Sequence, residues 1–414
     1  MRGKADIDLI RRQNRHIVLE ALRTHGPMPR VELGRKTGLS PASITSITTQ
    51  LIKEDAMLEL DEVSRRDPTR RGRPTVRVNL NPKAANVVAI KVSIDGLELA
   101  LADFSGNITA RKAITLATYN CAAFAFGEIT TTAIRNFLSE NNLSPKQVAR
   151  IGIAAQGVAD SRAGVIAWSP AFKARNVPLV GPIHAAFGIP CTLANDANMI
   201  AEGVMASDQL RYGGTTVVVY MGYGVGMGLV IDGNVYHGSN GAAAEFGHMN
   251  HIPGGALCRC GRAGCLEAYA SDYGILRSAE NLPGDTTPPS SAVDPAIMLA
   301  LEAAARRGDS NAVAAYQKAG NAIGFGLARL IALLNPNRIV LTGPGTRALD
   351  LIEPALRTAI EEGVVDELRR DVKIETIPFD KDMIITGTIG AALRHLDSEI
   401  FAFGPKAIQL EQNA

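Results

Sequence analysis

The chain opens with three stretches in which apolar residues recur at helical spacing. Ile10, Ile17, Val18, Ala21 and Leu22 share one face of a first helix, which Gly26 and Pro27 end. A second helix is predicted from about Arg30 to Thr37, broken by Gly38. Ser40 then caps a third helix whose first position is Pro41. Ile44, Ile47 and Leu51 follow at i, i+3 and i+7, so one side of this helix faces a core. The other side presents Ser43, Thr45, Ser46, Thr49 and Gln50, with Ser40 at its start. A short polar front on an apolar-backed helix, entered through a tight turn, suits insertion into a major groove. A three-helix protein-interaction module has the same pattern.

The segment after these helices favours the nucleic-acid reading. Beyond Leu58 and Leu60, residues 65–78 read as strand, loop and strand, and the loop is dense in arginine, including Arg71 and Arg73. Arginines on a loop stiffened by glycine and proline can neutralise phosphates or enter a narrow minor groove. A solvated linker would not explain the single sign of the charge.

Beyond Pro82 the periodicity changes. Short apolar strands are predicted at 87–93, 97–103, 108–116, 151–155, 215–221, 225–231 and 338–342. Helices are predicted near 124–140, 197–206, 296–307, 311–334 and 350–361, so the body is α/β. A faint repeat runs through it: strand 87–93 with residues 99–108 resembles strand 215–221 with residues 228–235. Two such openings suggest two related lobes around a ligand cleft. Residues 283–295, rich in Gly, Pro, Ser, Asp and Thr, read as an exposed loop.

Charge and cysteine content sharpen this picture. Residues 1–82 hold 16 Lys+Arg against 10 Asp+Glu, net +6, whereas the remainder is net −4. A basic head on a mildly acidic body points to nucleic-acid contact at one end. The sequence contains no apolar run of transmembrane length and begins without a signal-peptide core, so a cytoplasmic location is expected. Three of the five cysteines, Cys258, Cys260 and Cys265, fall within eight positions. In a reducing compartment that density means metal ligation. With His248 they complete a Cys3His set, for which Zn2+ is the expected metal. Four protein ligands leave no open position, so the site is expected to be structural.

Two further segments carry possible chemistry. Asn195-Asp196-Ala197-Asn198 ends an apolar strand and begins a helix; its side chains could bind vicinal hydroxyls or serve simply as a helix cap. The glycine-rich segment 222–228 looks like a hairpin able to approach a phosphate.

Together these residues amount to a resemblance. Asn195-Asp196-Ala197-Asn198, the run from Gly238 to Glu245-Phe-Gly-His248, and Cys258-x-Cys260-Gly-x-x-Gly264-Cys265-Leu-Glu267 resemble the ROK family (repressors, open reading frames, kinases) from about residue 86 to 396. The head is similar to the winged helix-turn-helix of sugar-regulon repressors in that family. The implied fold is an actin-like/hexokinase body of two duplicated ribonuclease-H-like lobes behind an all-α winged helix-turn-helix. The implied domains are a DNA-binding head at 1–82, a first lobe at 83–196 plus 390–414, and a second lobe with the metal loop at 197–389. By the same resemblance Asn195, Asp196, Glu245, His248 and Glu267 would bind a sugar, and Asp196 would be the base of a kinase. His248 would ligate metal through one ring nitrogen and touch sugar through the other.

The departures from the kinase pattern bear on activity. ROK kinases open the first lobe with Asp-x-Gly-Gly-Thr-Lys, whereas this chain has Lys91-Val92-Ser93-Ile94-Asp95-Gly96. Tyr223 stands where kinases place threonine, and Gly343-Pro344-Gly345 includes a proline that cannot donate a backbone hydrogen bond. The implied function is a repressor of carbohydrate genes. It would bind double-stranded operator DNA as a homodimer or dimer of dimers, answer to a sugar or sugar phosphate, and not act as an enzyme. Gln156 to Asp160 and Trp168-Ser169-Pro170 would shape the pocket. Two alternatives stay open at this level: an active sugar kinase with an appended DNA-binding head, and a module that docks a transport-system protein.

Overall fold

A computed structural model describes residues 2–60 and 76–398, with side chains from residue 10 onward. The arginine loop, including Arg71 and Arg73, lies outside the described residues.

The head consists of α1 (Arg2–His25), α2 (Arg30–Thr37) and α3 (Pro41–Lys53), followed by a small antiparallel sheet. In that sheet Arg77–Leu80 lies between Met28–Pro29 and Met57–Leu60. Gly38 ends α2 at φ 70°, a conformation glycine adopts without penalty. Ser40 caps α3 by accepting a hydrogen bond from the Ser43 amide at 3.2 Å, and Pro41 takes the first turn. Ile44, Ile47 and Leu51 are buried, as their spacing predicts.

The buried face of α1 is rotated from the predicted one. Val18, Leu19 and Leu22 are buried, whereas Ile10 is 56% exposed and Ile17 37%. Arg15 completes the buried stripe and is ion-paired with Glu54 at the end of α3. A charged residue at a core position hid the true periodicity.

The body contains two five-stranded sheets of one topology. In the first, the order is Cys191–Asn195, Val148–Ala155, Asn86–Ser93, Gly96–Asp103, Ile108–Thr115. In the second, it is Lys373–Thr376, Arg338–Thr342, Thr216–Met221, Val225–Ile231, Asn234–Val235. Each has three parallel strands and then two antiparallel ones, so the faint sequence repeat corresponds to a structural duplication. A third, small antiparallel sheet (Val158–Asp160, Val165–Trp168, Val177–Pro178) juts from the first lobe and carries Trp168.

Between the lobes lie the cleft helix (Asp196–Ser207) and the C-terminal helix (Met383–Leu396). They pack so closely that a Cβ on Gly387 would collide with the Met199 carbonyl, and Gly203 faces the same contact. The C-terminal helix also covers the first sheet, where the methyl of Thr388 lies over Gly152.

One apolar core spans head and body. Val18, Leu22, Ile44, Leu51 and Val78 of the head are continuous with Val87, Ala102, Phe104, Ile389 and Leu393 of the first lobe and C-terminal helix. The seam is reinforced by Arg23. Its guanidinium pairs with the fully buried Asp397, donates to the Phe104 carbonyl at 3.2 Å and lies 5.3 Å over the Phe104 ring.

Candidate functional site

The cleft between the lobes is built where the strand Cys191–Asn195 turns into the cleft helix. Asn195 is the N-cap: its Oδ1 accepts from the amides of Ala197 (2.7 Å) and Asn198 (3.4 Å), and its Nδ2 donates to the Gly157 carbonyl at 2.7 Å. Both ends of this side chain are thus held by backbone, and they fix the loop that carries Gln156. Asp196 is the first helical residue and points its carboxylate into the cleft, taking one amide from Ala197 at 2.9 Å. Desolvation there pushes its carboxyl up to about 6, although that amide and the field of Lys91 oppose the shift.

Two further carboxylates converge on the same space. Glu267 is buried; its Oε2 accepts from the Val225 amide at 3.2 Å and its Oε1 from the Tyr273 hydroxyl at 3.3 Å. Glu245 follows Ala244, a non-glycine residue at φ 69°. Burial pushes Glu245 up to about 7, with His248 pulling down and the charges of Asp196 and Glu267 pushing up. The inner cavity that Asp196, Glu245, His248 and Glu267 line measures about 70 Å³ and is walled by Trp168 and Tyr223. Elsewhere the small sheet of the first lobe is tied to residues 238–241 by the Ser161 amide, which donates to the Asn240 carbonyl at 2.8 Å.

His248 joins this cavity to the cysteine cluster. Its Nε2 lies 3.9 Å from Glu245 and its Nδ1 3.7 Å from the Cys258 sulfur. The Cys260 and Cys265 sulfurs are 3.6 Å apart, and all four ligand atoms fall within 4.8 Å of one another. A tetrahedral ion with metal–sulfur bonds near 2.3 Å sets neighbouring sulfurs about 3.7 Å apart, so the donor set fits one. Ligation would displace the protons that His248 and Cys258 hold, the Cys258 thiol being pushed up by its hydrogen bond with Cys260 and by burial. Burial would lower the His248 imidazole, but hydrogen bonds with Cys260 and Cys265 outweigh it and raise it to about 11. The Cys260 thiol is drawn down to about 3 by the Cys258 thiol and His248, against burial. Gly264, at φ 90°, lets the loop turn where a side chain would strike the Ile252 carbonyl.

Arg259 and Tyr273 escape a motif reading, Arg259 because it sits inside the Cys-x-Cys spacing. Its guanidinium stacks on Tyr223 (3.7 Å) and Tyr273 (4.4 Å) and donates to the carbonyls of Tyr223, Pro289 and Ser291. The exposed segment 283–295 is thereby tied down over the cysteine loop.

The turn at Ser93 to Gly96 has its amides held by side chains, and Asp95 at its tip is exposed. The Ile94 amide donates to Gln156 Oε1 at 3.1 Å and the Asp95 amide to Ser93 Oγ at 3.3 Å. Lys91 is held by Glu98 at 3.7 Å. Across the cleft, Pro344 packs on Gly222 of the glycine-rich hairpin 222–228.

On α3 the residues Ser40, Thr45, Ser46 and Thr49 are exposed, and Ser43 and Gln50 partly so. Thr45 donates to the Pro41 carbonyl at 2.8 Å, and Gln50 accepts from Arg11 of α1 at 2.6 Å, which adds a cation beside the polar front.

Two duplicated lobes around a cleft, with a helix-turn-helix in front, define an actin-like/hexokinase body of the ribonuclease-H type behind a winged helix-turn-helix head. The chain belongs to the ROK family, whose model matches residues 87–395. It is similar to the xylose repressor of Bacillus subtilis (strain 168), at 26% identity over 368 residues, covering 88% of this chain and 90% of that protein. The crystal structure of a ROK family transcriptional regulator, a homologue of the E. coli MLC protein, matches at TM-score 0.74 and 25% identity, over 97% of this chain and 98% of that one. A ROK glucokinase from Streptomyces griseus, solved with glucose and AMPPNP, matches at TM-score 0.57 and 22% identity. It covers 74% of this chain and 99% of its own, and it shares the fold. Among the described residues no helix is long and apolar enough to cross a membrane.

Proposed function

We propose that this protein is a sugar-responsive, DNA-binding transcriptional repressor whose kinase-like body senses a sugar without phosphorylating it. The observation that carries this reading is the contrast between the two sides of one cleft. Asp196, Glu245, His248 and Glu267 converge as acceptors and donors for hydroxyls, whereas the amides of Ile94 and Asp95, on the turn where kinases receive phosphates, are already taken by Gln156 and Ser93. Asp95 adds negative charge there. A base at Asp196 without a bound phosphoryl donor has nothing to transfer.

Zn2+ is the ion we assign to His248, Cys258, Cys260 and Cys265, in a structural role. His248 links it to the cavity, so the ion would set the angle at which the other ring nitrogen meets a sugar hydroxyl. Sugar binding would shift an equilibrium between operator-competent and incompetent arrangements of two heads. Ser40, Ser43, Thr45, Ser46, Thr49 and Gln50 of α3, with Arg71 and Arg73, would meet the DNA of a pseudo-palindromic operator as a homodimer or dimer of dimers.

An electrophoretic shift on the promoter beside its own gene, relieved by one sugar of a panel, is the expected result. Absence of any DNA affinity at low salt would overturn the reading. A coupled ATPase assay tests the rest: turnover above about 1 per second, ordinary for kinases, would make the body an enzyme.

A further inference from the structure

A second cavity opens directly outside the first, and its chemistry is opposite. The inner cavity is lined by three carboxylates and by His248, and its one guanidinium, Arg259, is already spent on two rings and three carbonyls. The outer one, about 280 Å³, lies against the cysteine loop at Cys258 to Gly261 and contains no acidic residue. Its cations are Lys173, Arg175 and the edge of Arg259, and its apolar walls are Tyr119, Trp168 and Phe172. Lys173 and Arg175 are exposed, and neither forms an ion pair with a described residue. Trp168 lines both cavities and meets the His248 ring edge-on at 5.2 Å, so it forms the wall between them. Neither space alone reaches the ~300 Å³ at which ligand pockets begin, but the two together do.

We infer that the effector is an extended acidic saccharide: a neutral sugar ring in the inner cavity, joined to a second unit that carries a phosphate or carboxylate and lies in the outer cavity against Trp168 with its anion on Lys173 and Arg175. The inner carboxylates would repel that anion, so the charge fixes which end enters. The anionic end lies on the cysteine-loop side, away from Asp196. It therefore differs from a phosphate placed on the hydroxyl that a kinase would attack. Aromatic faces beside the cations suit a sugar ring, whose C–H face packs on an aromatic wall while its substituents reach polar groups.

This inference rests on the reading of the inner cavity as a sugar site, and the test separates the two. Trp168 is the single tryptophan of the chain, so its fluorescence reports both cavities. The metal-loaded full-length protein is titrated with glucose, xylose and N-acetylglucosamine, and with matched pairs: trehalose and trehalose 6-phosphate, cellobiose and cellobiuronate, lactose and 3′-sialyllactose. An acidic member should bind about 10- to 100-fold tighter than its neutral partner, as expected for a charge-assisted contact. The phosphate and carboxylate arms tell which anion is preferred. The double variant Lys173→Ala/Arg175→Ala should erase that advantage, as should raised salt, while monosaccharide affinity stays within about twofold. Monosaccharide binding with no acidic preference overturns the inference and leaves the sugar reading standing, as does a double variant that weakens neutral and acidic ligands alike. If no saccharide moves the fluorescence or the melting temperature, the sugar reading falls and the inference with it.

Discussion

At the scale of single residues, the cleft keeps charges where folding alone would not. Asp196 has an ordinary value of 3.8 and is pushed up to about 6 by desolvation. Between these values the folded chain binds the proton more tightly than the unfolded chain, so this residue's contribution to stability falls as pH rises from about 4 to about 6. Above pH 6 the ionised, desolvated carboxylate costs on the order of 3 kcal/mol. Asp196→Asn should therefore raise the melting temperature at pH 8, have little effect at pH 4, and abolish sugar binding by calorimetry. A melting temperature that drops equally at both pH values would contradict the burial argument. The metal ligands make the opposite trade. Cys258→Ser or chelation should lower the melting temperature and change Trp168 fluorescence through the His248 ring, and native mass spectrometry should lose one ion of zinc mass. A chain that carries no ion as purified and melts unchanged with chelator would remove the assignment. Only part of this chemistry is legible in the sequence. The Cys3His spacing declares itself because thiolates so dense have few other uses, whereas Asn195 does not: cap and hydroxyl ligand use the same atoms, and the bonds to Ala197, Asn198 and Gly157 show how it serves as a cap.

At the scale of elements, strong period and strong punctuation are readable. Helices α2 and α3 fall where glycine, serine and proline mark their ends, and most long strands and helices of the body lie within a few residues of the pattern. The C-terminal helix does not show itself, because Ile384, Ile385, Thr386, Thr388 and Ile389 are β-branched and favour strand locally. Tertiary burial of Ile385, Ile389 and Leu393 decides in favour of helix. The sheet bearing Trp168 escapes the pattern because its strands span only two to four residues. The cap on α3 is a direct test of the head: Ser40→Ala should cost about 1 kcal/mol in chemical denaturation. The glycine contact between the cleft and C-terminal helices is a sharper one. Gly387→Ala should cost about 1–3 kcal/mol and weaken the response of DNA binding to sugar more than DNA binding itself, since it pries apart the helix that starts at Asp196 and the one that ends beside the head. Equal loss of both in gel shifts would mean the contact is structural only.

At the scale of the whole molecule, the continuous core and the Arg23–Asp397 pair join head and body into one unit. Calorimetry should show the head and first lobe unfolding in a single transition. Arg23→Ala strands a fully buried carboxylate and should cost about 3 kcal/mol, and separate the head into its own lower transition. A head that already melts alone in the native chain would contradict the shared core. Charge asymmetry and the helical pattern make the head legible, but they give no sign of this seam, which forms between residues far apart along the chain.

That seam limits how the protein can be recombined. Pro82 looks like a natural cut between interchangeable parts, and a chimera made there would receive a foreign head on this sensor. Its α1 would have to present matches for Phe104, Ile389, Leu393 and Asp397, all of which lie more than 20 residues from the cut in sequence. If the proposed function holds, retargeting to a new operator is thus better attempted by changing the exposed front of α3 than by exchanging the head, because Ser40, Thr45, Ser46 and Thr49 on that front are exposed and take no part in the seam.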